Sequence, residues 1–310
     1  MERVQESQLL QLLLIFALVI LAVTKVTLQG AASRRHIRGT VDSVLFNAQL
    51  FAVIAVVMAI MFGAELPSWQ GLLLVLCSAI GTFLFQVSYA LALQCGPVSL
   101  SVLIVNFNVL LTTTFSVIVY KDPVYLSHLI GIAFLVISLL LSIKKEENAK
   151  AISGKWLVLL ATALIGTATG TIITQVFTKS FSDSAKQDNG FVILVYVAAS
   201  LMAFAWYFAG ALGKGKKRCT YGFWNKHMWL LIVLIGVVLG VFQKLYMSGM
   251  KYIDGAFLFP TFSGMQSLAM TFVGIVFFKD KLSVRQMVGV VFGIACVVMM
   301  NLKFVVLMSW

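Results

Sequence analysis

Charge is scarce in this sequence: only 11% of its 310 residues are Asp, Glu, Lys or Arg. Soluble domains carry about 25%. With 61% hydrophobic residues and a mean hydropathy of +1.00, the chain cannot cover a water-facing surface. Acidic residues are the rarer sign, and Asp42, Glu65, Asp122, Asp183, Asp188, Asp254 and Asp280 all fall in loops or at the ends of apolar runs. The three histidines, His36, His128 and His227, stand in loops or at run borders, and no H-E-x-x-H or G-x-S-x-G pattern occurs. The four cysteines, Cys77, Cys95, Cys219 and Cys296, form no C-x-x-C pair and no spacing with histidine that would hold a metal. These absences argue against an enzyme. No cofactor and no metal is expected.

What the sequence has is long apolar runs. About 20 such residues cross roughly 30 Å of hydrocarbon as a helix. Ten runs are read as spans: Leu9 to Leu28, Val41 to Phe62, Trp69 to Leu93, Val98 to Tyr120, Val124 to Ile143, Trp156 to Thr178, Gly190 to Leu212, Met228 to Met250, Ile253 to Phe278 and Leu282 to Leu302. The first lacks a basic flank before it and a small-residue cleavage site, so it is expected to stay as a span. The formal charge of +12 sits in the short connections, where it meets lipid headgroups and orients the chain; nucleic acid is not expected as a partner. Arg34, Arg35, Arg38, Lys144, Lys145 and the Lys214 to Arg218 cluster fall on one face when loops alternate. That face is expected to be cytoplasmic, with both termini outside.

The chain repeats itself. YKDPVYLSHLIGIAF and FKDKLSVRQMVGVVF align without a gap, pairing Lys121 and Asp122 with Lys279 and Asp280, Gly131 with Gly289, and Phe134 with Phe292. One residue of slippage further back, Gly81 matches Gly240 and Gly96 matches Gly255, and Thr24-Lys25 resembles Thr178-Lys179. The break falls at KKEENAK, so residues 1–147 and 148–310 read as two five-helix repeats. Five spans is an odd number, so the second half must cross the membrane inverted. Inverted repeats give many secondary transporters two exchangeable states around one site.

With SYALALQCGPVSLSVLI and LYMSGMKYIDGAFLFPT after the third and eighth spans, and a K-D step before a glycine-rich final span in each half, the chain resembles the drug/metabolite transporter superfamily in its ten-span, EamA-like form. The resemblance covers nearly the whole chain and implies a carrier; relatives move amino acids, sugars, nucleotide sugars, other small metabolites or drugs. Two departures stand out. The proline common early in the fourth and ninth spans of relatives is kept as Pro260 but replaced near Asn106, and many relatives have cytoplasmic termini.

Lys244 is the one ammonium placed well inside a span. It shares a stripe with Gly236, Gly240 and Ser248, four residues apart, so the stripe should face other helices or a cavity. The other reading is snorkelling, since roughly 9 Å at about 1.5 Å per residue separates it from its span end. Gly166, Gly170, Thr174 and Thr178 form a similar stripe with Gln175 beside it, although threonine hydroxyls there commonly bond back to their own helix. The candidate substrate-binding residues are Lys244, Gln243, Gln86, Asn106, Gln266, Gln175 and Tyr89, because polar groups inside a bilayer need partners. With no carboxylate in mid-span, a neutral or anionic substrate fits better than a cation.

The sequence therefore specifies an all-α integral membrane protein of ten transmembrane helices in two inverted five-helix repeats. The expected function is secondary transport of a small polar, neutral or anionic organic metabolite by alternating access, in a multi-pass protein of the plasma membrane. Its partners would be that substrate and the lipid bilayer, and glycine-rich packing faces would also allow a homodimer. Efflux of multiple drugs or cations is the alternative, and a non-transporting scaffold or receptor a further one.

Overall fold

The computed structural model describes residues 2–36, 40–95, 101, 104–141, 153–212, 226–276, 283–302 and 306–308. The described chain is helical almost throughout: α1 (Glu2–His36), α2 (Thr40–Phe62), α3 (Trp69–Cys95), α4 (Asn108–Tyr120), α5 (Leu126–Leu141), α6 (Gly154–Ser180), α7 (Ala185–Leu212), α8 (Lys226–Tyr252), α9 (Gly255–Val276) and α10 (Val284–Asn301). Two short strands, β1 (Val124–Tyr125) and β2 (Val306–Met308), pair antiparallel. The KKEENAK break between the repeats lies outside the described residues.

Among the described residues seven helices are long and apolar enough to cross a membrane: α1, α2, α3, α6, α7, α8 and α9. The other three expected spans are shorter apolar helices, at Ile104–Tyr120, Leu126–Leu141 and Val284–Met300. Part of each expected run lies outside the described residues. Val124 and Tyr125, expected to begin the fifth span, are instead extended. The local cause is the chain before them, where Lys121 ends α4 in the left-handed conformation and Pro123 offers no backbone N–H. The ninth span begins at Gly255 and not at Ile253.

Two compact units make up the fold, and each draws on both halves of the sequence. The first comprises Met1–Val23, Gly96–Ile152 and Ser248–Trp310; the second comprises Thr24–Cys95 and Ser153–Met247. In the second unit α3 packs along α6, and α7 along α2 and α3. Its core contains Leu45, Leu50, Ile54, Phe177, Phe191 and Ile232, with Phe177 and Phe191 stacked at 4.1 Å between ring centroids. The α3–α6 approach requires glycine: a Cβ on Gly166 would lie 2.7 Å from the Gly81 carbonyl oxygen and 2.8 Å from the Phe85 nitrogen. Backbone at that distance cannot yield. The outer face of α3 presents Leu72, Leu76, Ile80 and Leu84 at four-residue spacing, all exposed, as a helix in lipid requires.

In the first unit α5 packs on α10, and α9 on α4, α5 and α10. The Ser138 hydroxyl donates to the Gly289 carbonyl at 2.7 Å, and Gly131 approaches Met300 closely. Asp122 is buried and satisfied. Its Oδ2 accepts from the Ser116 hydroxyl at 2.5 Å and from the backbone N–H groups of Gly255 and Ala256 at 2.7 and 3.2 Å, capping the start of α9.

Candidate functional site

The start of α7 gathers the polar groups nearest to Lys244. Ser184 caps the helix, its Oγ accepting the Gln187 N–H at 3.1 Å and donating to Glu65 Oε2 at 3.0 Å. Glu65 follows α2, which ends in a turn at Gly63 with φ of 62°. The chain there lies so close to α7 that a Cβ on Gly190 would overlap the Glu65 carbonyl oxygen. Asn189 seals the junction. Its Nδ2 donates to the carbonyls of Phe62 and Gly63, at 3.1 and 3.0 Å, satisfying groups that the end of α2 leaves open.

Lys244 reaches this junction from α8. Its Nζ donates to Asn189 Oδ1 at 2.8 Å and to the Ala185 carbonyl at 3.2 Å. The glycines of its stripe face α2, a Cβ on Gly236 meeting Val53 at 2.6 Å and one on Gly240 meeting Val57 at 3.3 Å. The stripe thus faces another helix. The half-buried lysine extends along the bundle to the first turn of α7, where protein oxygens and not lipid receive the ammonium.

One residue earlier on α8, Gln243 donates through Nε2 to the Tyr196 hydroxyl, and Tyr196 packs on Phe51 with ring centroids 5.6 Å apart. Gln86 and Tyr89 are half-buried on α3, Tyr89 stacked on Phe85 at 5.6 Å. Gln175 is fully buried on α6, where Thr174 and Thr178 bond back to Gly170 and Thr174 at 2.8 Å each, the structural role anticipated for them. These five candidates belong to the second unit. Asn106 and Gln266 belong to the first, half-buried on helices that pack together. Beside Asn106 the helix tightens: the Phe107 N–H bonds to Ile104 and the Leu110 N–H to Phe107, both in three-residue steps.

The sequence reading did not single out Asn189 or Asp188. The D-N-G run at 188–190 looks like a loop before the span and is in fact the first turns of α7. Placing acidic residues at span ends is right, yet it missed their burial: Asp42, Asp122 and Asp188 are 2, 4 and 5% exposed.

Long apolar helices with leucine outside, and with polar atoms joined to one another inside, define a multi-pass helical membrane protein. Residues 9–144 match the model of the EamA-like transporter family. A solved crystal structure resembles the protein with a TM-score of 0.72 at 15% identity, over 93% of this chain and 95% of that one. At such identity the likeness shows the fold alone. No curated protein matches the sequence at a significant level.

Proposed function

We propose that the protein is a secondary transporter moving a small polar, neutral or anionic organic metabolite across the plasma membrane by alternating access. Its ten helices would form two inverted five-helix repeats, residues 1–147 and 148–310. The observation that carries this reading is that equivalent positions of the two halves meet. Phe134 and Phe292, matched in the sequence repeat, lie with ring centroids 5.5 Å apart. Helix α5 packs on its counterpart α10, α4 on α9, and α2 on α7. Self-matching contacts of this kind are what a two-fold relation between halves produces. Inverted halves in turn supply the two exchangeable states of a carrier.

Lys244 supports the anionic side of the substrate class, because an ammonium that donates to Asn189 Oδ1 and the Ala185 carbonyl is also a donor for an anion. The tightened turn beside Asn106 and the proline within α9 at Pro260 interrupt corresponding helices, a pattern that accompanies substrate sites in inverted-repeat carriers. A thermal-shift screen of the purified chain against amino acids, nucleotides, sugars and organic acids should yield a ligand, since binding stabilises the fold by about 2.7 kcal/mol at 100 times Kd. Proteoliposomes should then accumulate that ligand in counterflow. A ligand that binds but is never carried would leave a receptor and not a transporter.

A further inference from the structure

A second lysine lies inside an apolar stretch, on α1. Lys25 occupies the last turn of Leu10–Leu28, which is long and apolar enough to cross a membrane. Two stripes at helical spacing divide this helix. Leu10, Leu13, Phe16 and Ile20 are exposed, and the exposed Thr24 continues their line. Ile15, Leu18 and Ala22 are buried, and Lys25 is the next position of that second line. One turn further on, Leu28 packs against the core of the second unit that holds Phe177 and Phe191. Lys25 therefore stands on the covered side of α1 and not on the side left to lipid.

The two lysines differ in what holds them. Lys244 donates to Asn189 Oδ1 and the Ala185 carbonyl. Lys25 donates to no acceptor and meets no counter-charge among the described residues, although the protein around its half-buried side chain desolvates it. An ammonium withdrawn from water without a partner costs stability and gives the fold nothing in return. In a membrane helix such a group marks a place where a ligand supplies the opposite charge. We infer that Lys25 binds the acid group of the transported molecule, a carboxylate or a phosphate, so that the substrate is an organic acid. The inference rests on the anionic side of the function proposed above and narrows it. A lipid phosphate offers the same chemistry, but lipid meets the outer stripe that ends at Thr24, and a lysine serving headgroups alone would belong there.

Thermal melting of the full chain in detergent tests this, with potassium succinate, glutamate and phosphate each titrated against potassium chloride at constant ionic strength. Without these anions Lys25→Met should melt no lower than the wild type, because it removes an uncompensated charge. A clear loss, or failure to fold, would show the amine tied into the fold and would overturn the inference. At least one of the three anions should stabilise the wild type. Lys25→Met should raise the concentration for half-maximal stabilisation at least about tenfold, as loss of a charge-assisted hydrogen bond does. Lys186→Gln, a change at an exposed lysine, should leave that concentration near the wild-type value. Stabilisation that survives in Lys25→Met sinks the role of Lys25 and leaves the anionic reading standing; a wild type that no anion stabilises sinks that reading, and the inference with it. A Lys25-dependent rise in melting temperature on adding phosphatidylglycerol to the micelles, with none from the soluble acids, would assign the amine to lipid and overturn the inference as well.

Discussion

Asn189 is a neutral amide that serves three helices at once. From α7 it donates to the last carbonyls of α2 and accepts from Lys244 of α8. Alanine there would orphan groups on two neighbours, and an unsatisfied buried polar group costs about 1–3 kcal/mol. Asn189→Ala should therefore lower the melting temperature of the detergent-solubilised protein, more than Tyr196→Phe does. The latter removes only the acceptor of Gln243 and should cost about 1 kcal/mol. Equal effects would mean that the α7 junction contributes no more than a single tyrosine hydroxyl. The surface ion pair of Lys186 with Glu65, at 3.9 Å and with both groups exposed, should matter little by comparison.

At the scale of elements, two contacts decide how helices start and cross. Asp122 holds the first amides of α9 with one oxygen while taking the Ser116 hydroxyl of α4. The negative charge also suits the positive end of the helix dipole. Asp122→Ala should cost about 2 kcal/mol, with Asp122→Asn milder because the amide oxygen still accepts; chemical denaturation of both variants checks the order. The α3–α6 crossing is stricter, since the atoms facing Gly166 are backbone atoms of Gly81 and Phe85. Gly166→Val should lose at least about 1–3 kcal/mol and most of the folded yield, read as loss of the monodisperse peak in size-exclusion chromatography. Normal yield and melting would show that the two helices can part without penalty.

For the whole molecule, the inverted reading assigns the two K-D steps to opposite faces of the membrane. In a chain whose native cysteines have been replaced, Lys121→Cys should react with an impermeant thiol reagent from outside intact cells. Lys279→Cys, outside the described residues, should react only after the cells are opened. Labelling of both from the same face would end the inverted-repeat reading. Labelling with the faces exchanged would keep the repeat and reverse the orientation deduced from the positive residues.

Length and periodicity alone settled that the chain is helical and embedded, because apolar runs and four-residue glycine stripes are local properties that each helix carries regardless of its neighbours. Phe134 and Phe292, which the sequence alignment pairs, do lie in ring contact. What the stripes met was not legible. Gly236 faces Val53 of α2, Asp122 caps a helix that begins over a hundred residues later, and the compact units take segments from both sequence halves. The lysine was visible as an anomaly, but its acceptors Asn189 and Ala185 looked like loop. Which distant atoms receive a donor depends on how helices from separate parts of the chain are packed, and tertiary structure alone decides that.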